Sequence, residues 1–443
     1  MKKIFGNPYD PEKNPNGVIN LGTAENYCML DAVTEFANTH SGNFTTLDLN
    51  YGEGPCGTAR LRKGMAKHMN KYFNPLVPVD PENFIFATGC TSLFEMLGFA
   101  LAEPGDGIIL SRPCYQAFEI DFGWRAKLVP VFTPFDNTDQ FAPSCIPYYE
   151  RAIEKAKSSG ITPRMLMLCN PHNPLGQCYP RATLIGLMQL CQKHKIHFLS
   201  DEIYALSVYS SSTGSNNVPG SEIEAQKEKE IAKAVPFESV LAFDTKDFIS
   251  SEYLHVLYGF SKDLAAGGMR LGCVHSASSA LKQALRAQGA FAWSANLSSK
   301  IAEQMLEDEV WMEGFLNESR RMLGERSKLC RSLLEEKGVR YGKGACAGFF
   351  LWVDLTVFLG AGEGEGLEKK KEREKELVEK MLGEGVYLTS GTGMMAEDAG
   401  WFRLVFSQDE AVLRKGLERL WRVLGIEEKV AKGEEKVLPV RSA

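Results

Sequence analysis

The strongest constraint on the fold is a repeated unit, a short apolar run that stops abruptly in polar residues. Met165-Leu-Met-Leu-Cys169, led by Arg164, runs into Asn170-Pro-His-Asn-Pro-Leu-Gly176. Ile196-His-Phe-Leu-Ser200 runs into Asp201-Glu-Ile-Tyr204, and His255-Val-Leu-Tyr258 into Gly-Phe-Ser-Lys262. Runs this short and apolar read as buried strands. Amphipathic helical stretches lie between them, and that alternation predicts a mostly parallel sheet of the α/β class. In open sheets of this kind, ligands bind outside the carboxyl ends of the strands. The polar residues at the ends of these runs are therefore the first place to look for chemistry.

Lys262 sits at such an end. Partial burial disfavours the ammonium, and the neutral amine can form a Schiff base with an aldehyde. Arg270 follows in the same segment and offers a permanent fork of donors for a phosphate. An aldehyde and a phosphate on one ligand describe pyridoxal phosphate. Taken alone, a Ser-Lys pair with a nearby arginine is usually a solvated turn. Asp201 can hold a proton on a pyridine nitrogen, or serve as an ordinary helix N-cap. The two Asn-Pro steps around Asn173 mark a stiff loop, whose asparagines can also bond their own backbone. In Phe86-Ala-Thr-Gly-Cys90-Thr91-Ser-Leu-Phe-Glu-Met-Leu97, small residues precede apolar positions at Leu93, Met96, Leu97 and Ala100. A helix N-terminus there is either a phosphate site or a plain capped helix.

Taken together and in this order, these segments resemble fold-type-I, pyridoxal-phosphate-dependent enzymes of the class I/II aminotransferase family. Asn16-Gly-Val-Ile-Asn-Leu-Gly-Thr-Ala-Glu-Asn26 and Ala399-Gly-Trp-Phe-Arg-Leu-Val-Phe406 are similar to the aminocyclopropane-carboxylate synthase branch. The likeness runs from about Gly17 to about Leu424. It implies that Lys262 is the Schiff-base lysine and proton shuttle, and that Asp201 pairs with the pyridine nitrogen. Asn173 and Tyr204 would bond the phenolic oxygen, Cys90, Thr91, Ser261 and Arg270 would hold the phosphate, and Tyr115 would stack on the ring. Arg403 would grip the substrate carboxylate, with Asn173 and Glu25 also on the substrate side. A local salt bridge is an equal reading of Glu25. Tyr51 would reach the phosphate of the other subunit, which implies a homodimer with composite sites.

The resemblance also implies a large domain over 52–295 and a smaller α/β domain from 1–51 and 296–443. Segments 210–234 and 361–376 read as surface insertions, and the charged run Lys369–Glu376 as the solvated face of a helix with Leu377, Val378, Met381 and Leu382 as its apolar stripe. Three departures from the family pattern stand out. Gly259 occupies a position usually held by a phosphate-binding serine, a loss of about 1 kcal/mol unless another donor replaces it. Tyr27 follows Ala-Glu-Asn where the synthases have glutamine. The loop from Tyr51 to Leu61-Arg62 is longer than in the synthases. The last two fall on the substrate side.

Composition narrows the partners. A net charge of −6 argues against nucleic acid. No apolar stretch approaches the roughly 20 residues that span a bilayer, and Met1-Lys-Lys-Ile-Phe lacks a signal peptide's apolar core. The cysteines number 11, an odd and scattered set without a Cys-x-x-Cys pair, which reads as reduced thiols in a cytoplasmic protein. The histidines show no metal-ligand spacing, and His172 reads either as facing substrate or as a structural hydrogen-bonder. Tyr27, Trp124 and Tyr51 hint at a bulky substrate. The expected activity is amino transfer, with carbon–sulfur or other β/γ elimination as the alternative. A non-catalytic pyridoxal-phosphate-binding protein ranks last. Regulators of that kind carry a DNA-binding segment ahead of the domain, and the resemblance begins near Gly17.

Overall fold

The computed structural model describes residues 2–41, 44–209, 234–360 and 365–426. Of the expected insertions at 210–234 and 361–376, residues 210–233 and 361–364 lie outside these residues. Each apolar run forms a strand: Pro163–Cys169, His197–Asp201 and Leu254–Gly259. They join Phe84–Ala87, Gly107–Ser111, Val129–Thr133 and Gly272–Ser276 in a sheet of seven strands. Gly272–Ser276 pairs antiparallel with both its neighbours, Phe84–Ala87 and Leu254–Gly259, while the other pairs are parallel. Successive strand residues point to opposite faces. Met165, Met167 and Cys169 enter one apolar core, and Leu166 and Leu168 the other. Burial on both faces is why these strands read as unbroken apolar runs.

The strand order places the site. From Gly107–Ser111 the chain moves first to Val129–Thr133 on one side, then to Pro163–Cys169 on the other. That reversal opens a crevice at the carboxyl ends. Phe84–Ala87 runs in the same direction and delivers the Gly89–Leu101 helix to the same edge. Leu93, Met96 and Leu97 of that helix are buried, and Ala100 is half-buried, as the spacing predicts.

A second sheet, of four antiparallel strands, is built from Arg340–Tyr341, Phe350–Asp354, Thr389–Ser390 and Trp401–Val405. The N-terminal strand Ile19–Asn20 pairs parallel with Val386–Tyr387. Arg419 fastens that junction, donating to the carbonyls of Pro15, Gly17 and Gly385. The helix Glu309–Glu336 is about 42 Å long at 1.5 Å per residue. Asn26 donates to Ser319 on it, tying the N-terminal segment to this helix.

The charged run from Lys369 lies in the helix Leu367–Gly383. Leu377 and Met381 are buried and Val378 half-buried, matching the predicted stripe. The expectation of a wholly solvated charged face is corrected at one residue. Glu374 is fully buried and accepts from Thr392 N at 3.0 Å, Thr392 Oγ1 at 2.5 Å and Gly400 N at 2.6 Å. Its carboxylate ties the helix to both ends of the segment that leads into Trp401–Val405.

Candidate active site

The polar strand ends converge on a cavity of about 170 Å³. Cys90, Thr91, Tyr115, Asn173, Asp201 and Tyr204 line it from four different strand ends. Ser261, Lys262 and Arg270 close it from the segment after Leu254–Gly259, and Glu25 enters from the N-terminal segment. Phe94, Ile203 and Gly267 complete the lining. The sequence reading missed these last three, which carry no polar signal.

Lys262 is half-buried and donates to the Ala24 carbonyl at 2.5 Å. Burial, with the nearby Arg403 charge, pulls its amine down to about 8. The neutral, nucleophilic form is therefore available near neutral pH. Asp263, the next residue, is buried and satisfied by three donors: Leu206 N at 2.8 Å, Ser207 Oγ at 2.5 Å and the Tyr258 hydroxyl at 3.1 Å. It locks the Lys262 turn to the segment that carries Tyr204. An acid beside the lysine was the available signal, and it was overlooked. Glu202 plays a similar part beside Asp201, accepting from Val240 N and Ser200 Oγ, each at 3.0 Å.

Asp201 is treated differently. Burial pushes both Asp201 and Asp263 up to about 7. Yet Asp201 accepts one long bond, from Ile203 N at 3.4 Å. No helix follows it, so the N-cap reading fails. A buried carboxylate this poorly supplied with donors has capacity for a protonated ring nitrogen.

The phosphate end is assembled from two glycine-dependent approaches. Gly89 has φ +76°, and a Cβ there would lie 2.5 Å from Arg270 Nη2. Its lack of a side chain lets the guanidinium come close to the helix start. The helix N-terminus supplies free N–H groups, and the guanidinium supplies charge. A Cβ at Gly259 would lie 2.8 Å from the Leu271 carbonyl oxygen and 3.5 Å from Cys90 Sγ. The missing serine is thus explained by crowding, since the strand partner and the Cys90 thiol occupy its space.

From the second sheet, Arg403 is 2% exposed in the strand Trp401–Val405; it does not itself line the cavity and reaches it through Asn173. It donates to Asn173 Oδ1 at 2.8 Å and to the Gly22 carbonyl at 2.7 Å. It makes no ion pair among the described residues, and its Nε has no partner there. A guanidinium only donates, so the Asn173 atom facing it is the carbonyl oxygen, and the Asn173 amide N–H groups remain for another acceptor. Tyr204 is buried, edge-on to Phe349 and Phe350. Tyr115 is half-buried, packed edge-on against Phe118, with its phenol raised to about 12 by burial.

Some expectations did not reach the cavity. Tyr51 is 83% exposed, beside Trp293, and lines no part of its own chain's cavity. Trp124, 76% exposed, is also absent from the lining. Tyr27 lies behind Glu25, its phenol pushed up by burial and by the Glu25 carboxylate. His172 is fully enclosed, near Ser111 Oγ at 3.4 Å and edge-on to Phe141, so the structural reading holds. The eleven cysteines are all free thiols. No metal-ligand cluster occurs among the described residues, and none of their helices is long and apolar enough to cross a membrane.

Pyridoxal phosphate fits this donor set end to end: an amine for the aldehyde, a helix start with arginine for the phosphate, and an under-supplied carboxylate for the ring nitrogen. Comparison with known proteins agrees. The family "Aminotransferase class I and II" matches residues 17–420. A 1-aminocyclopropane-1-carboxylate synthase of Nicotiana tabacum is 30% identical over 437 residues, covering 96% of this chain and 82% of that protein. The probable aminotransferase sirI of Leptosphaeria maculans is 29% identical over 439 residues, covering 97% of each. The aromatic aminotransferase of Pyrococcus horikoshii OT3 shares the fold, with a TM-score of 0.72 at 20% identity, covering 95% of this chain and 97% of that one. The chain belongs to the class I and II aminotransferase family and is a pyridoxal-phosphate-dependent enzyme of that fold.

Proposed function

We propose that the enzyme is an aminotransferase acting on an α-amino acid. The observation that carries this reading is the placement of Lys262, Asp201 and Asn173 around one cavity, with Arg403 bonded to Asn173. Pyridoxal phosphate, when bound, supplies an aldehyde for the substrate amine and a ring that accepts the electron pair of the α-carbon. Arg403 binds the substrate carboxylate through its guanidinium fork. Lys262, as the neutral amine that burial favours, removes the proton from the α-carbon and returns it. Asp201 holds the proton on the ring nitrogen. Asn173 and Tyr204 donate to the phenolic oxygen, and Cys90, Thr91, Ser261 and Arg270 surround the phosphate. Tyr115 covers the ring face. Amino transfer needs nothing beyond these residues.

Elimination from the substrate side chain is the second reading. It is supported by Glu25 in the cavity lining and by the names of the synthase relatives. The two differ in the fate of the electron pair after the proton leaves the α-carbon. Amino transfer releases a keto acid, whereas elimination releases ammonia, a thiol or another leaving group.

The proposed setting is a cytoplasmic homodimer in which the exposed Tyr51 serves the partner's phosphate site. The large domain would span 52–295 and the small one 1–51 with 296–443, a division supported by the separate strand ranges of the two larger sheets. The deciding experiment incubates the purified holoenzyme with a panel of amino acids and S-adenosylmethionine and identifies products by mass. Keto acid formed in proportion to the aminated cofactor is expected. Release of ammonia or thiol with no aminated cofactor sinks amino transfer, and a silent cofactor spectrum across the whole panel favours the non-catalytic reading.

A further inference from the structure

A second cavity, of about 320 Å³, backs onto the first. Two chain segments divide their residues between the two, and a third lies next to Asn173. Pro113 lines the second and Tyr115 the first, and Leu175 the second and Asn173 the first. Trp401 lines the second, two residues from Arg403, which is bonded to Asn173. Residues two apart on a strand share a face, as do cross-strand partners. Trp352 is the partner of Arg403, so Trp352, Trp401 and Arg403 lie on one face of the four-stranded sheet.

The lining has a definite chemistry. The Trp352 and Trp401 rings are nearly parallel, 7° apart in plane and 6.1 Å between centroids. Three carboxylates, Asp139, Glu397 and Asp398, line the same space. Glu397 is oriented by Phe135 N at 2.7 Å and Asp139 by Phe141 N at 2.9 Å, each through one oxygen. Arg112 is the one cation in the lining, and its N–H groups are turned to the carbonyls of Met395 and Ala396, at 2.7 and 3.3 Å. Gln140, also in the lining, is 7% exposed, and its Oε1 has no hydrogen-bond partner among the described residues. A buried carbonyl oxygen without a donor is costly to leave bare. Indole faces and carboxylates together attract cations, and the second oxygens of Glu397 and Asp139 can accept from N–H donors.

We propose that this cavity is a second binding site, for a small organic cation with N–H donors, and that its occupancy is felt at the first cavity through the shared segments. A ligand can shift a site only by binding its alternative arrangements unequally. Pro113–Tyr115 and Asn173–Leu175 are the elements whose positions both sites share.

The test uses the holoenzyme and benzylguanidinium, a planar cation with N–H donors whose guanidine lacks the nucleophilicity of a primary amine. Neutral benzylurea and anionic benzoate serve as controls. Calorimetric titration is expected to show saturable binding, one per chain, at least ten-fold tighter than benzylurea and undiminished by saturating amino-acid substrate. Glu397→Gln, which keeps an oxygen for Phe135 N, and Trp401→Leu are each expected to weaken it at least ten-fold with unchanged circular dichroism. Asp398→Asn, at an exposed position, serves as a second charge test if Trp401→Leu does not fold. Binding of benzoate instead, equal affinity for benzylurea, displacement by substrate, or affinity unchanged in the charge variants overturns the site. An amino-acid KM lowered at least two-fold by saturating benzylguanidinium supports the coupling, and an unshifted or raised KM overturns it. Neither KM result depends on whether the reaction is transfer or elimination.

Discussion

The two sides of the active site, the large-sheet wall of the cavity and the Arg403 strand beyond it, hold their residues by different means. On the large-sheet wall, Asp201 ends the strand that aims it, and Asn173, Tyr204 and Lys262 each sit a few residues beyond theirs. On the other wall, Arg403 depends on partners remote in sequence: the Gly22 carbonyl, Asn173 and, at 3.5 Å, Thr389 Oγ1. Local specification gives a rigid edge on which chemistry can be arranged. Remote specification gives a wall whose geometry rests on a few long-range bonds, of which those to Gly22 and Thr389 involve no residue assigned to the cofactor. Affinity for the substrate carboxylate is therefore expected to depend on the second wall.

The largest effect is expected from Arg403→Leu. Removing one member of a buried, hydrogen-bonded charge arrangement costs about 2–5 kcal/mol. The loss is expected in kcat/KM for the amino acid, with cofactor affinity changed far less. Arg403→Lys is expected to rescue little, because an ammonium cannot reproduce the fork. Equal losses of cofactor and substrate binding would break the division between the walls.

Glu374→Ala comes next. It strands Thr392 N and Gly400 N, at about 1–3 kcal/mol per buried group left unsatisfied. Chemical denaturation is expected to show the loss, whereas Glu372→Ala, on the exposed part of the same helix, stays within about 0.5 kcal/mol. The pair separates a structural carboxylate from the solvated charges around it. Substrate KM is expected to rise with Glu374→Ala, because the segment it anchors leads directly into the Arg403 strand. Stability lost without any change in KM would confine Glu374 to folding.

Gly259→Ser probes the other wall. Restoring the serine common in relatives looks like the gain of a phosphate donor. Here the new Cβ meets the Leu271 carbonyl and the Gly272 backbone, and overpacking of this kind costs about 1–3 kcal/mol. A lower melting temperature with no gain in cofactor affinity is expected. Tighter cofactor binding at unchanged stability would show that the strand pair relaxes, and that the edge is less rigid than the comparison holds.

The same contrast explains what was legible in the sequence. Lys262, Asp201, Asn173 and the Gly89–Leu101 helix start were readable because each motif carries its strand and its polar end within a dozen residues. Burial on both sheet faces made the strands visible as apolar runs. Arg403 was readable only through resemblance and its apolar neighbours, because Gly22 and Asn173 are far from it along the chain. Glu374 was hidden inside a charge run, where nothing local distinguishes it from Glu372 or Glu376. Asp263 and Gln140 were missed for a related reason: the donors that satisfy the first and the enclosure that isolates the second are tertiary facts.

The smallest effect concerns the proton on Lys262. Burial and the Arg403 charge both disfavour its ammonium, holding it at about 8 in the cofactor-free protein. The neutral amine is the reactive form, so the rate of reductive labelling at Lys262 by pyridoxal phosphate and cyanoborohydride is expected to rise with pH, corrected for the reagent's own profile, with a midpoint near 8. In Arg403→Leu one of the two causes is gone, and the midpoint moves up. Stability follows the same linkage with a definite sign. A lysine lowered in the folded state binds fewer protons there than when unfolded, so it costs stability below its folded value, and the cost fades as pH rises toward the ordinary lysine range. The cofactor-free Lys262→Met variant is therefore expected to exceed the parent in stability most below pH 8 and to lose that advantage above it. A midpoint that stays fixed in Arg403→Leu would mean that burial alone sets the lysine, and that the two walls do not communicate through charge.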